Sequence, residues 1–434
     1  MDNKKKLVAV NKLFERDGIT FYSIPSDKFK TMRIDIFLVY PLAKETVSEN
    51  ALFPFVLRRG CNRYPTQQDL ACRLEQLYGA SFEAGVYKKG ELQILHFYSG
   101  FVSDQYTSEK MNLFDEAGSL LLEVLTDPVT EDGLFKKDYF EQEKGNLIQR
   151  IQSRVNDKMQ YAIQRCFEEM CAGEPYALHE DGDEAGAAAI TRDGLMGRYR
   201  AMLAESPIYV FISGNVREDA IKRFTDKFNL LERNYHELLN PPQVQKQVSQ
   251  VKRVEEPMDV SQGQLCLGFR TQIEANSPDY FPLAIYNGVL GGGVQSKLFQ
   301  NVREKESLAY TTFTMLEKFK GLLIAASGIE TANREKAENV IHQQLKAICD
   351  GNITDLEMEA TKNSFQTGIK SMQDSQGAMV DFFLSQILSG QNDTAEAFLE
   401  KLMKVEKQDV VRISKNIALD TVYFLTASPD NQKE

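Results

Sequence analysis

Chemistry at a protein site needs side chains that ligate metal, exchange protons or attack carbon, and this chain is poor in them. Its four histidines, His96, His179, His236 and His342, are scattered, and no two stand one helical turn apart as paired metal ligands would. His179-Glu180-Asp181 invites a metal reading, but a solvated acidic loop accounts for it. There is no G-x-S-x-G elbow. Cys61, Cys72, Cys166, Cys171, Cys266 and Cys349 form no Cys-x-x-Cys pair and no nucleophile signature, so they read as reduced, mostly buried thiols. What stands out is a stretch suited to binding, residues 280–310, YFPLAIYNGVLGGGVQSKLFQNVREKESLAY. An apolar helix is broken by Gly291, Gly292 and Gly293, and Ser296 is placed to cap a second helix with Leu298, Phe299 and Val302 on one face. Arg303 leaves that helix and Tyr310 comes seven residues later. A guanidinium offers a fork of donors to a carboxylate or carbonyl, and a phenol adds a hydroxyl. With no preceding strand and no Lys-Ser/Thr pair, the triple glycine is not read as a phosphate loop.

The elements that carry these residues can be read from pattern. At 434 residues the chain calls for two or more domains. With 42% hydrophobic and 26% charged residues it is composed as an ordinary globular protein. Its net charge of −11 opposes a phosphate backbone, which excludes nucleic acid as a partner class. The basic start MDNKKK is followed by only four apolar residues before Asn11, too few for a signal peptide, and no run is long enough to span a bilayer, so no membrane partner is expected. Read as a whole gene product, the chain is expected to be cytoplasmic.

Strands are expected at LVAV, ITFYSIP and MRIDIFLVY, then a helix at ALFPFVLRRG with Pro54 tolerable only in its first turn. Thr66 with Asp69 resembles a capping box opening a helix that Gly79 stops, and strands come next at 81–86 and 91–100. Helices are expected over 109–125 and 134–171, the second broken near Asn156-Asp157, then a loop at EPYALHEDGDEAGAAAI, a helix from Thr191 and a buried strand IYVFISGNV. Residues 232–257 are polar and read as a linker. The second half then repeats the order of the first. The domains are thus 1–231, the linker 232–257, and 258–434, two α+β halves.

The segment S-x-L-F-x-x-V-R-E-x-x-x-L-A-Y after its Gly-rich turn resembles the C-terminal half of the M16 (pitrilysin, insulinase-like) zinc peptidases. GCNRYPTQQDLACRLEQLYGASFEAG resembles the segment after that family's metal motif, and the match spans nearly the whole chain. The resemblance implies an α+β fold of two homologous α/β-roll halves, mixed or antiparallel sheets covered by helices, closing as a clamshell. It also implies that Arg303 and Tyr310 hold a peptide or unfolded polypeptide.

The family's H-x-x-E-H needs two neutral imidazoles on zinc and a Glu to take the proton of the bound water. Anchored on Gly60 and Pro65, the His positions fall on Ala51 and Phe55 and the Glu on Pro54. On the distal helix Glu143 matches the first family glutamate, while the zinc-ligating one falls on Arg150. Catalytic and metal residues are therefore expected to be absent and no cofactor is expected in this chain. The resemblance implies an inactive, peptide-binding subunit of a heterodimeric peptidase, paired with a homologous chain that bears H-x-x-E-H and the zinc, and contributing to that complex's activity. The alternative is a scaffold or binding protein with no peptidase partner.

Overall fold

The computed structural model describes residues 9–109, 111–237, 239, 244 and 246–428. The chain begins β1 (Asn11–Arg16), β2 (Ile19–Ile24), β3 (Thr31–Pro41), α1 (Val47–Leu57), α2 (Gln67–Gln76), β4 (Ser81–Lys89), β5 (Leu92–Val102) and α3 (Leu113–Thr126). A short ribbon, β6 (Thr130–Glu131) with β7 (Leu134–Phe135), leads to α4 (Lys137–Ser153), α5 (Lys158–Met170), α6 (Glu184–Ala189), α7 (Arg192–Glu205), β8 (Ile208–Ser213) and α8 (Glu218–Asp226). The second half opens with β9 (Lys252–Met258), β10 (Gly263–Arg270) and α9 (Tyr280–Gly291), followed by a π-helical turn at Phe299–Lys305. It continues with β11 (Ala309–Glu317), β12 (Leu322–Ile329), α10 (Arg334–Cys349), α11 (Asp355–Met372), α12 (Gln376–Leu388), α13 (Ala395–Met403), α14 (Lys407–Ser414) and β13 (Ala418–Ala427).

The two sheets are wired alike. The first runs β1-β2-β8-β3-β5-β4 and the second, read from its far end, β9-β13-β10-β12-β11. In each, one pair is parallel, β2 with β8 and β9 with β13, and the other pairs are antiparallel. Two α+β halves of one topology are therefore present, as the repeated order of elements predicts.

The compact units, however, are not contiguous in sequence. One comprises residues 1–153, 178–240 and 372–388, the other 154–177, 241–371 and 389–434. The first unit thus includes α12 and the second includes α5, each a helix from the other half of the chain. Strand β3 shows why a cover is needed. Ile34, Ile36 and Leu38 point into the core with α1, α3 and α7, while Phe37 and Val39 point to the other face and pack with Met379, Val380, Phe383 and Leu384 of α12. In the second unit Cys166 and Met170 of α5 pack with Cys266 of β10 and Tyr423 and Leu425 of β13. Gly268 lets them approach, since a Cβ there would stand 2.2 Å from the Met170 sulfur.

Several local expectations change. Residues 7 and 8 of the first expected strand lie outside the described residues, and β1 begins at Asn11. The helix at ALFPFVL starts earlier, at Val47, so Pro54 lies in its interior. The lost backbone bond is tolerated where Ala51, Leu52, Phe53, Val56 and Leu57 are all buried around it. Leu134 and Phe135 form β7 rather than a helix start. The loop expected at 174–190 contains α6, capped by Asp183 accepting from the Gly186 N–H. Residues 252–257 of the expected linker belong to β9, whose polar composition reflects its place at the sheet edge, where Pro257 is also tolerated.

The second unit also holds a buried ionic cluster. Arg270, fully buried, donates to Asp420 at 2.8 Å, to Glu174 at 2.7 Å and to the Met170 carbonyl at 2.7 Å, and the buried Lys320 ammonium lies 2.9 Å from Glu174. Burial pushes the Glu174 carboxyl up, but hydrogen bonds from Lys246, Lys320 and Arg270 outweigh it and hold it at about 2. A carboxylate depressed in the folded state contributes stability that is complete above its ordinary value of 4.5 and drains away as pH falls towards about 2. Glu174→Gln, which leaves two buried cations short of a carboxylate, is expected to cost about 3 kcal/mol in urea unfolding at neutral pH. Its stability should fall less than that of the wild type between pH 4.5 and about 2.

Candidate functional site

Two places in the chain matter, one in each unit. In the first, α1 is buried nearly all round, which places Ala51, Pro54 and Phe55 on one helical face. Arg150, near the end of α4, meets that face, with its guanidinium carbon 4.2 Å from the centre of the Phe55 ring. The guanidinium is paired through two bonds with Asp181, at 2.9 and 3.1 Å. Asp181 is brought there by a turn in which the Gly182 N–H donates to the His179 carbonyl at 2.9 Å. Gly182 has φ +71°, and a Cβ there would stand 2.0 Å from the Ser48 hydroxyl at the start of α1. Glu143, buried two turns earlier on the same face of α4, is 2.6 Å from Arg59 and accepts from Asn146.

These residues do not fit a zinc ion. Ala51, Pro54 and Phe55 have no lone pair to give, Arg150 is a permanent cation, and Asp181 and Glu143 are each taken by a guanidinium. Among the described residues no group of three or more His, Cys, Asp and Glu side chains could hold a metal. Of the histidines only His179 is in this region, where its Nδ1 accepts from the Asp181 N–H at 3.1 Å. His96 lies on β5 with its Nε2 2.7 Å from the buried Asp35, which Arg33 also contacts. Burial raises the Asp35 carboxyl, and the hydrogen bonds from His96 and Arg33 outweigh it and hold it below the usual range. Of the cysteines, Cys61, Cys166, Cys171 and Cys266 are buried, Cys349 partly so and Cys72 exposed; none is in a disulfide.

The second place is the turn after α9. Gly291 lets β11 cross close to α9, for a Cβ there would stand 2.6 Å from Thr314, whose hydroxyl donates to the Asn287 carbonyl at 3.0 Å. Lys297, buried, lies 2.9 Å from Glu357, which also accepts from the Thr354 N–H and hydroxyl in the capping box of α11. The turn is thereby fastened to a helix N-terminus. The segment after it is not the α-helix expected from sequence. Residues 299–305 wind as a π-helix, with the Glu306 N–H bonded to the Asn301 carbonyl at 3.2 Å, and Leu298 and Val302 are buried beneath it.

That wider turn sets Arg303 over Phe299, 4.7 Å from guanidinium carbon to ring centre, with the Tyr310 ring at 5.9 Å. Tyr310 stands on β11, the outer strand of its sheet, at a register shift. Ala309 pairs with Ile329 and Thr311 with Gly328, so Tyr310 is the extra residue of a bulge and its side chain is re-aimed. The residue is 77% exposed. Arg303 and Tyr310 are thus brought together, as are Phe55 and Arg150. Phe299, the bulge, β11 and Asp181 are further participants. The alternation and threonines of AYTTFTMLE carry a strand signal, whereas nothing in the local pattern marks the π-turn.

Comparison with known proteins places these features in context. Residues 189–365 match the family profile described as "Peptidase M16 inactive domain". Over 417 residues the chain is 34% identical to "Probable inactive metalloprotease YmfF" of Bacillus subtilis (strain 168), covering 96% of this chain and 98% of that protein. It is 21% identical over 339 residues to the same organism's "Uncharacterized zinc protease YmxG", covering 76% and 80%. Among solved structures, a conserved protein from Enterococcus faecalis V583 superposes with a TM-score of 0.88 at 28% identity, over 98% of this chain and 99% of that one.

The Arg150–Asp181 pair is open to a direct test. Because about a third of the Arg150 side chain (35%) is exposed, Asp181→Ala is expected to cost roughly 1–2 kcal/mol in denaturant unfolding, less than for a sealed pair. Arg150→Met with Asp181→Leu together should recover most of that loss. Added zinc should leave the melting midpoint of the wild type unmoved.

Proposed function

We propose, given that this chain belongs to the M16 peptidase family as one of its inactive homologues, that it is the peptide-holding subunit of a two-chain peptidase. The other chain would be a homologue carrying H-x-x-E-H and its zinc. One contrast carries this reading: Arg150, where the resemblance puts a zinc ligand, is held to Asp181, while Arg303 is partly exposed and Tyr310 exposed. A chain kept only as a scaffold has no use for that second arrangement. Bacillus subtilis offers a precedent for coexistence, since one of its relatives of this chain is named an inactive metalloprotease and another a zinc protease.

Arg303 would donate to a carbonyl or carboxylate of the peptide and Tyr310 would add its hydroxyl. An extended segment could add to a free sheet edge, β4 in the first unit or β11 in the second, where main-chain hydrogen bonds supply affinity without demanding a sequence. No helix among the described residues is long and apolar enough to cross a membrane, and we place the pair in the cytoplasm.

Affinity capture at endogenous level from the native host, followed by mass spectrometry, tests the pairing. Recovery of an H-x-x-E-H homologue in equal amount is the expected result; recovery of this chain alone, or of an unrelated protein, overturns it in favour of a scaffold. In the recovered pair Arg303→Ala should lower peptide turnover about tenfold or more, the scale of a lost charge-assisted hydrogen bond. Assembly, read by size-exclusion chromatography, should be unchanged.

A further inference from the structure

In the second unit, Arg165, Arg253, Arg270, Arg334 and Arg412 each hydrogen-bond a carboxylate. Arg303 does not: its nearest carboxylate oxygen among the described residues, on Glu304, is 3.8 Å away, beyond hydrogen-bond reach. In a chain with 62 acidic and 51 basic residues, a guanidinium whose nearest carboxylate is this long contact to its sequence neighbour is set apart from those five. It is also not loose. Phe299 lies against it, the turn that carries both is fastened through Lys297 to Glu357, and Val302 is fully buried one residue before it.

Contact with an aromatic ring engages the face of a guanidinium and leaves its N–H groups, which lie in the plane, for other partners. Two parallel N–H groups match the two oxygens of a carboxylate; a single carbonyl uses one of them and leaves the charge uncompensated. The bulge sets the Tyr310 ring 5.9 Å from the same guanidinium carbon.

We infer that Arg303, set by the π-helical turn and positioned by Phe299, is a receptor for a carboxylate of the bound peptide, either its C-terminus or an acidic side chain. This rests on the peptide-holding role and narrows it to a substrate class, acidic or carboxyl-terminal peptide segments. Phe299 is a positioning residue in this assignment, acting through Arg303.

The test is fluorescence anisotropy with the full chain, alone and with its captured partner. The probes are short labelled peptides of otherwise neutral sequence: a free C-terminal acid, its amide, and amides with one internal Glu or Gln. The acid, or the Glu amide, should bind about tenfold or more tightly than its neutral counterpart, and the pair that differs identifies which carboxylate is read. Arg303→Lys, which keeps the charge and loses the fork, should erase most of that preference. Phe299→Leu should weaken the preferred peptide about two- to fivefold, Phe299→Tyr should restore it, and in Arg303→Ala the Phe299→Leu change should add nothing.

Equal binding of acids and neutral counterparts overturns the carboxylate assignment while leaving the peptide-holding role standing. An equal Phe299→Leu effect with and without Arg303 overturns the positioning role alone. No binding of any probe, with or without the partner, overturns the peptide-holding role itself and the inference with it.

Discussion

A sheet whose middle strands are apolar on both faces must be covered twice, and that constraint organises this protein. β3 sends Ile34, Ile36 and Leu38 one way and Phe37 and Val39 the other; β10 is buried at every residue. In the first unit the second cover is α12, and in the second unit it is α5. With both faces sealed, what remains to solvent in each sheet is its edges. β4 and β11 are such edges, and Tyr310 stands on one of them. Burial of the apolar faces thus decides where a ligand can approach before any polar residue is considered.

The region of Ala51, Phe55 and Arg150 does more than lack metal ligands. Had Arg150 been left alone in a half-enclosed place it would have been costly, and the fold answers with Asp181, the turn at Gly182 and the ring of Phe55. Arg59 does the same for Glu143. The region is organised around guanidinium pairs, so histidines placed at Ala51 and Phe55 would not by themselves make a metal site. The second unit differs at one point: Arg165, Arg253, Arg270, Arg334 and Arg412 each hydrogen-bond a carboxylate where they stand, and Arg303 is held chiefly by aromatic contact.

Much of this was legible in the residues. Thr66 with Asp69 and Thr354 with Glu357 are reciprocal caps in the structure as in the pattern, the break near Asn156-Asp157 separates α4 from α5, and the repeated order of elements matches the repeated wiring of the sheets. What was not legible has a common cause. Periodicity reports which face of an element is apolar but not which part of the chain covers it, so the placement of α5 and α12 could not be read. Nor does it report a widened helical turn or a one-residue bulge, because the residues of 299–310 suit an α-helix and a regular strand as well. Pro54 misled for a related reason: local propensity forbids it mid-helix, and burial on all sides overrides propensity.

The crossing of α5 and α12 has an implication for how such a chain came to exist. If a single half was once a protein of its own, it carried the helix equivalent to both of these, and two copies could have completed one another by trading it, as domain-swapped dimers do. Joining the copies end to end would turn that exchange between molecules into one within a molecule, and the concentration dependence of folding would disappear. The trade would also bind the two genes' fates together. Once each sheet relied on the other half's helix, neither half could be lost without uncovering the sheet of its twin.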